Sequence, residues 1–506
     1  MKHMVDPRQN ALFDAEVEHF GPRRLEILDA TWYGVFRRSI LAEMPAEELG
    51  REFSADKGRP TKELYAMAGL VLISQMFGMT SECAALAYSF DNATQYALNV
   101  GHGKTEISPR TVERYQKLVR EKDLPQEIFA RIAGRLAKEL GLQLDKQRLD
   151  STHVFSDMAR MSRAQMMATC IRRFLAQLKR HHNGQYAALD AALRDRCLDT
   201  GRKLFGAVAP KGDVRDRLRQ QVAEDMATLV ARFADDGRIC GMSSYKALAR
   251  AFAEQCEIAG NKVAVRSKTG SRAMQNPSDP DATLDGHKGN GYQLQLAETC
   301  HPDNPVQLIT CAIPQTAADE DGDALELVVE SLENAGAKPA ELLADTHYGS
   351  DENQQACALK GIDLVAPVRG NAPGEGFVPV SDKQKRLARR REEQSTPEWK
   401  KRHNRRAGIE ATNSGLKRRL GLGRLRVRGK NSVYCAMLLK AAGWNVLRAA
   451  AAIAIKLKKN RTRRKTAPKD LLAALFSVSQ AVRNVCGTLR GPRLSPWIRS
   501  PALRAA

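Results

Sequence analysis

Hydrophobic periodicity changes character along this chain, and the order of the changes limits the folds open to it. Residues before about 125 read as helices only. A Gly58-Arg59-Pro60 turn is followed by helical spacing at Leu64, Met67, Leu70, Val71 and Met76. Gly78 is placed to end that helix, and Thr80 or Ser81 to cap the next. Ser108 followed by Pro109 marks a third helix start. "LPQEIFARIAGRLAKELG" is an amphipathic helix leading into "LQLDKQRLDSTHV", which alternates as a strand does and is predicted to end near Asp150. Strong helix formers then fill residues from about 156 to 260. Strand signals resume in "NGYQLQLAETC" and "VQLITCAIPQT", separated by "HPDNP" as in a hairpin. A helix closed by Gly336, a strand ending at Asp345, a helix, a strand "IDLVAPVR" and a basic helix bearing Glu410 complete the order.

With the stretch 156–260 set aside as an insertion, three meandering strands precede alternating helices and strands. That is the order of an RNase H-like domain. The predicted fold is therefore α/β: an RNase H-like catalytic domain over residues 126–455 carrying a long helical insertion at about 156–260. An all-helical domain over residues 1–125 precedes it, suited to DNA-end binding or to helical packing. A basic, partly disordered tail over residues 456–506 follows.

A chain of 506 residues exceeds one typical core, and a hydrophobic content of 43% excludes a disordered protein. The net charge of +22 calls for a polyanionic partner. From Lys383 to Lys430 there are 18 Lys and Arg against 4 Asp and Glu, so most of the excess surrounds Glu410. A positive field around a carboxylate favours nucleic acid over a membrane surface. The 10 cysteines are dispersed with no C-x-x-C pair, which reads as free thiols of a reducing compartment and argues against structural zinc. No signal-peptide pattern opens the chain, and the apolar run "AMAGLVLISQMF" is too short to span a bilayer. The expectation is a cytoplasmic, nucleoid-associated protein with no membrane partner.

Three carboxylates stand out: Asp150 in "RLDSTHV", Asp345 in "ELLADTHYGSDEN" and Glu410 in the basic run. Each aspartate alone has a plain alternative as a turn cap. Together they fall where such a fold can bring them into one place. Two-metal phosphoryl transfer needs carboxylates around two divalent cations, and hard Mg²⁺ or Mn²⁺ prefers oxygen ligands. Relative to Glu410, Arg406 lies four residues back, His403 seven back and Lys417 seven ahead. On one continuous helix at about 100° per residue these share a face. The alternative is an exposed Arg406–Glu410 ion pair on a solvated helix. Arg418, Arg424, Arg426 and Arg428 extend the basic surface as candidate DNA contacts. His153, His347, Lys288 and Tyr292 lie close to these motifs. Trp399 is open to base stacking, and Trp444, on an apolar helix, reads as core.

The spacing of Arg406, Glu410 and Lys417 resembles the Y-R-E-K signature of bacterial insertion-sequence transposases of the DDE type, with His403 at the tyrosine position. "LDST" and "ADTHYGSDEN" resemble that group's two aspartate motifs, and "DPDATLDGHKGNGYQLQLAET" is also similar to it. The resemblance covers roughly residues 30–455. It implies an enzyme that binds double-stranded DNA at the element's terminal inverted repeats, cleaves it, and transfers the strands into target DNA as a homodimer on DNA. Asp150, Asp345 and Glu410 would be the catalytic metal ligands, and Arg406 and Lys417 would bind phosphates with help from His403. A metal-dependent nuclease of the same fold and a non-catalytic DNA-binding derivative are the alternatives.

Overall fold

A computed structural model describes residues 2–7, 20–101, 106–199, 212–260, 262–372, 374 and 377–466. The centre of the fold is β1 (Lys146–Val154), which pairs on both sides. Strands β2 (Cys256–Ala259) and β3 (Lys262–Val265) close the insertion, with Cys256, Val263 and Val265 packed on its core, and after it come β4 (Thr283–Asp285), β5 (Gly289–Thr299), β6 (Ile309–Thr316), β7 (Glu341–Leu343) and β8 (Asp363–Val365). Strand β5 runs antiparallel to β1, with Asp150 opposite Leu296, and β6 runs antiparallel to β5. On the other side of β1, β7 and then β8 are parallel. The main sheet is thus ordered β6-β5-β1-β7-β8, three antiparallel strands followed by two parallel ones. This mixed α/β sheet is consistent with the RNase H-like expectation. Strand β4 folds back onto the start of β5, and β2 and β3 form a separate hairpin. None of these three strands was legible as a separate element.

The helices before β1 include α1 (Leu64–Phe77), α2 (Ser81–Phe90), α3 (Asn92–Leu98), α4 (Pro109–Glu121) and α5 (Leu124–Leu140), with shorter or more peripheral helices at Gly21–Asp29, Trp32–Val35 and Ala46–Gly50 ahead of them. Gly78 ends α1 at φ +60, the left-handed conformation that glycine adopts without a Cβ penalty, and Thr80 caps α2. The Ser108 hydroxyl accepts the Thr111 N–H at 3.3 Å and caps α4 as expected. The insertion holds α6 (Arg163–His181), α7 (Asp213–Phe233) and α8 (Ser243–Gln255) around its own core, where Phe174 meets Phe233 and Tyr245 edge-on at 5.6 Å each. In the sheet domain, α9 (Leu325–Asn334) and α10 (Asp351–Leu359) contribute to one apolar cluster with Leu149, Leu342 and Leu364. Then follow α11 (Asp382–Ser395), α12 (Pro397–His403), α13 (Gly408–Arg419) and α14 (Lys430–Thr466). Among the described residues, those up to Ala452 form one compact unit and those from Ile453 belong to a second. Most of the expected tail lies outside the described residues.

Three expectations are corrected. First, β1 does not stop near Asp150. Thr152 and Val154 are β-branched and keep pairing with β5 as far as Tyr292. Second, the basic segment is not one helix. It is α12, a 3-10 turn over Asn404–Ala407, and α13. Groups remote in sequence bond this segment: Arg148 Nη1 donates to the Arg405 carbonyl at 2.9 Å, and His403 Nε2 lies 3.0 Å from the Ala344 carbonyl oxygen. Third, the apolar runs are not all short. Lys430–Lys456 within α14 is long and apolar enough to cross a membrane, and 61% of its apolar window is buried inside the protein. There it serves as a core helix: the Trp444 ring lies where a Gly415 side chain would stand, and Lys440 donates to the Gln75 and Leu420 carbonyls.

Candidate active site

Alternation along β1 builds the site. Leu149 turns into the apolar cluster, so Arg148 and Asp150 share the opposite face, toward α13. Arg148 bonds the buried Glu298 carboxylate on β5 through Nε at 2.7 Å, and Thr412 on α13 donates to the same carboxylate at 2.7 Å. Burial pushes the Glu298 carboxyl above its usual range, and Arg148 draws it back. This network spans β1, β5 and α13, so it fixes the helix against the sheet. Gly408 is needed at the start of α13, because a Cβ there would meet the Arg148 guanidinium at 1.8 Å.

Asp150 is the most perturbed carboxylate of the group. Desolvation pushes its carboxyl up to about 6; Arg406 opposes the rise, and the charges of Asp345 and Asp321 add to it. Asn413 on α13 donates to Asp150 Oδ2 at 3.0 Å. The Arg406 guanidinium lies 3.7 Å from Asp150 Oδ1 and 3.6 Å from Glu410 Oε1, so it bridges the strand and the helix. Glu410 sits in the first turn of α13 with its side chain 67% exposed. Asp345 follows β7 and caps the 3-10 turn Thr346–Tyr348, accepting the His347 N–H at 2.8 Å. Asp345 is thus a turn cap, and its charge is felt at Asp150.

His403 stands apart from the expected helix face. Its ring stacks on Trp399 at 4.8 Å and its Nε2 meets the Ala344 carbonyl, beside Asp345. Desolvation holds its pKa below the ordinary imidazole value. Lys417 is two turns along α13 from Glu410, and partial desolvation together with the nearby Lys288 ammonium lowers its pKa. Lys417 and Arg418 line a cavity of about 610 Å³ with Glu410, Asn413, Lys288 and His153. Arg424, Arg426 and Arg428 alternate as exposed residues on an extended segment held along the end of β1 by Phe155–Gly423 and Leu425–Phe155 backbone bonds. Arg419 is exposed at the end of α13.

Sequence reading missed two residues that touch this centre. Asp321 accepts from the Ser151 hydroxyl and from the Gln295 amide, each at 2.9 Å, and pairs with Lys288 at 3.9 Å. Gln295 also accepts from the buried Tyr348 hydroxyl. Asn413 was the more discoverable of the two, since it lies three residues after Glu410 on one helix.

The donors suit a hard cation in type. They are carboxylate oxygens, with a desolvated aspartate that lacks full charge compensation. The buried Asn413 Oδ1 has no hydrogen-bond partner and is a further oxygen donor beside Asp150. The three carboxylates are nonetheless not gathered: among the described residues no group of three or more His, Cys, Asp or Glu is arranged to hold a metal ion. Arg406 stands between Asp150 and Glu410 and supplies the positive charge there.

No curated protein and no solved structure matches the chain at a significant level. Residues 377–450 match a family model described as a transposase DDE domain, a stretch that leaves Asp150 and Asp345 outside it. The match takes in Arg406, Glu410 and Lys417, and it supports a DDE transposase.

Proposed function

We propose that the chain is the transposase of a bacterial insertion sequence. It binds double-stranded DNA at the terminal inverted repeats, cleaves the element ends and joins them to target DNA, acting as a homodimer on DNA in the cytoplasm. The observation that carries this reading is the meeting of Asp150 and Glu410 on one arginine, with the charge of Asp345 felt at Asp150. Asp150, Asp345 and Glu410, with Asn413 beside them, would hold Mg²⁺ or Mn²⁺. Such cations, when bound, supply activation of the attacking oxygen and stabilisation of the leaving one.

The remaining work falls to the chain's own groups. Arg406 is positioned to release its two carboxylates and engage the scissile phosphate. Lys417, Lys288 and Arg418 line the adjoining cavity and bind flanking phosphates. His403 orients the backbone next to Asp345 through Ala344. Arg424, Arg426 and Arg428 present a row of cations along the duplex. A strand-transfer assay with the element's own ends tests the proposal. Cleavage with joining supports a transposase, and cleavage without joining indicates a nuclease.

A further inference from the structure

A cavity of about 840 Å³ lies in the helical part before β1, between the loop 52–62 and the start of α4. Among the described residues, its wall carries Lys57, Arg59, Lys62 and Arg114 against the two carboxylates of Glu52 and Glu106. Glu52 is already engaged by Lys122 at 2.6 Å. The capped amino-terminus of α4, a 13-residue helix, opens into the same space through Ser108 and adds its partial positive charge.

The loop is built rather than loose. Gly58 takes φ +87, which lets the chain turn between Lys57 and Arg59. The Ser54 hydroxyl accepts the Lys57 N–H at 3.1 Å. Thr61 accepts the His3 N–H at 2.9 Å, and Glu63 caps α1 through the Tyr65 and Ala66 N–H groups. The aromatic lining does not offer a stacking platform: Arg114 covers Phe53 at 5.0 Å, and Tyr115 is buried. Recognition here therefore runs through charge. Lys57 and Arg59 are exposed, so they do not enclose one small anion. An extended polyanion can engage all four cations.

We propose that this cavity is a second DNA contact, taking phosphodiesters of the duplex backbone without reading bases. It rests on the reading of the chain as a DNA-processing enzyme. The test is an anisotropy titration of labelled duplex DNA with the full chain at several salt concentrations. The variants are Lys57→Ala/Arg59→Ala/Lys62→Ala and the charge-preserving Lys57→Arg/Arg59→Lys/Lys62→Arg. The alanine variant should bind with a salt slope less steep by roughly 2 to 3, since each phosphate contact contributes about 0.9. The charge-preserving variant should keep the original slope. An unchanged slope in the alanine variant overturns the proposal. So does a charge-preserving variant as weak as the alanine one, which would make the loop's role structural. Inorganic phosphate is the second probe: saturable phosphate binding lost in the alanine variant, with no change in duplex slope, would assign the cavity to free phosphate instead. Failure of the wild type to bind duplex at all would remove the transposase reading as well, which separates the two failures.

Discussion

At the scale of single residues, Arg406 has the most concentrated role. It contacts one carboxylate on the central strand and one on the helix, and the proposed function has it exchange them for a phosphate. Arg406→Ala should lower the cleavage rate at saturating DNA by roughly 10²-fold, the cost of removing one donor aimed at developing charge. Arg419→Ala, on an exposed residue beyond the site, should weaken binding with little change in that rate. Single-turnover cleavage measures both, and equal rate losses would reduce the segment to a diffuse positive surface. The legibility of these residues was uneven. Asp150 and Asp345 could be found because each follows an apolar run, and Glu410 because it is the only acid between Trp399 and Lys430. Asp321 could not be singled out. It lies in "DEDGD", and only the fold decides which of those acids turns toward Ser151 and Gln295.

At the scale of elements, the order along the chain of β1, β5, β6, β7 and β8 was readable from period and turn residues, while β2, β3, β4 and the break before α13 were not. The break depends on Arg148 and Ala344, which are remote in sequence from Asn404–Ala407. Arg406 stands beside Glu410 as one helix phase would place it, whereas His403 does not share that face, because the phase is lost at the 3-10 turn. Two packing contacts hold α13 and α14 in place, and each gives a prediction. A Cβ on Gly415 would stand 2.0 Å from the buried Trp444 ring. Gly415→Ala should therefore cost about 1–3 kcal/mol of stability by overpacking, read by denaturant unfolding. Lys440 on α14 is buried, and its pKa is lowered to about 8 by desolvation, with the Arg426 charge adding to it. The unfolded chain thus binds more protons than the folded one between about pH 8 and 10.5, and stability attributable to this group rises across that window. Relative to Lys440→Met, the wild type should gain on the order of 3 kcal/mol from pH 8 to pH 10.5, using about 1.36 kcal/mol per unit. A stability difference flat with pH would show that Lys440 is not desolvated as described.

At the scale of the whole molecule, the proposed function divides the work between charge and carboxylates. On that reading, affinity for a polyanion comes from the Lys and Arg excess of the chain, whereas cleavage depends on Asp150, Asp345 and Glu410, of which Asp150 and Glu410 meet on Arg406. The two can be separated by experiment. The most direct measurement is Mg²⁺-dependent cleavage of element-end DNA by Asp150→Ala, Asp345→Ala and Glu410→Ala, each compared with its DNA affinity at matched salt. Each variant should lose cleavage while binding DNA about as tightly as the wild type, because the acids would hold the cation and the arginines and lysines hold the duplex. Near-normal Mg²⁺-dependent cleavage by any one of the three would remove that residue from the site and contradict the account.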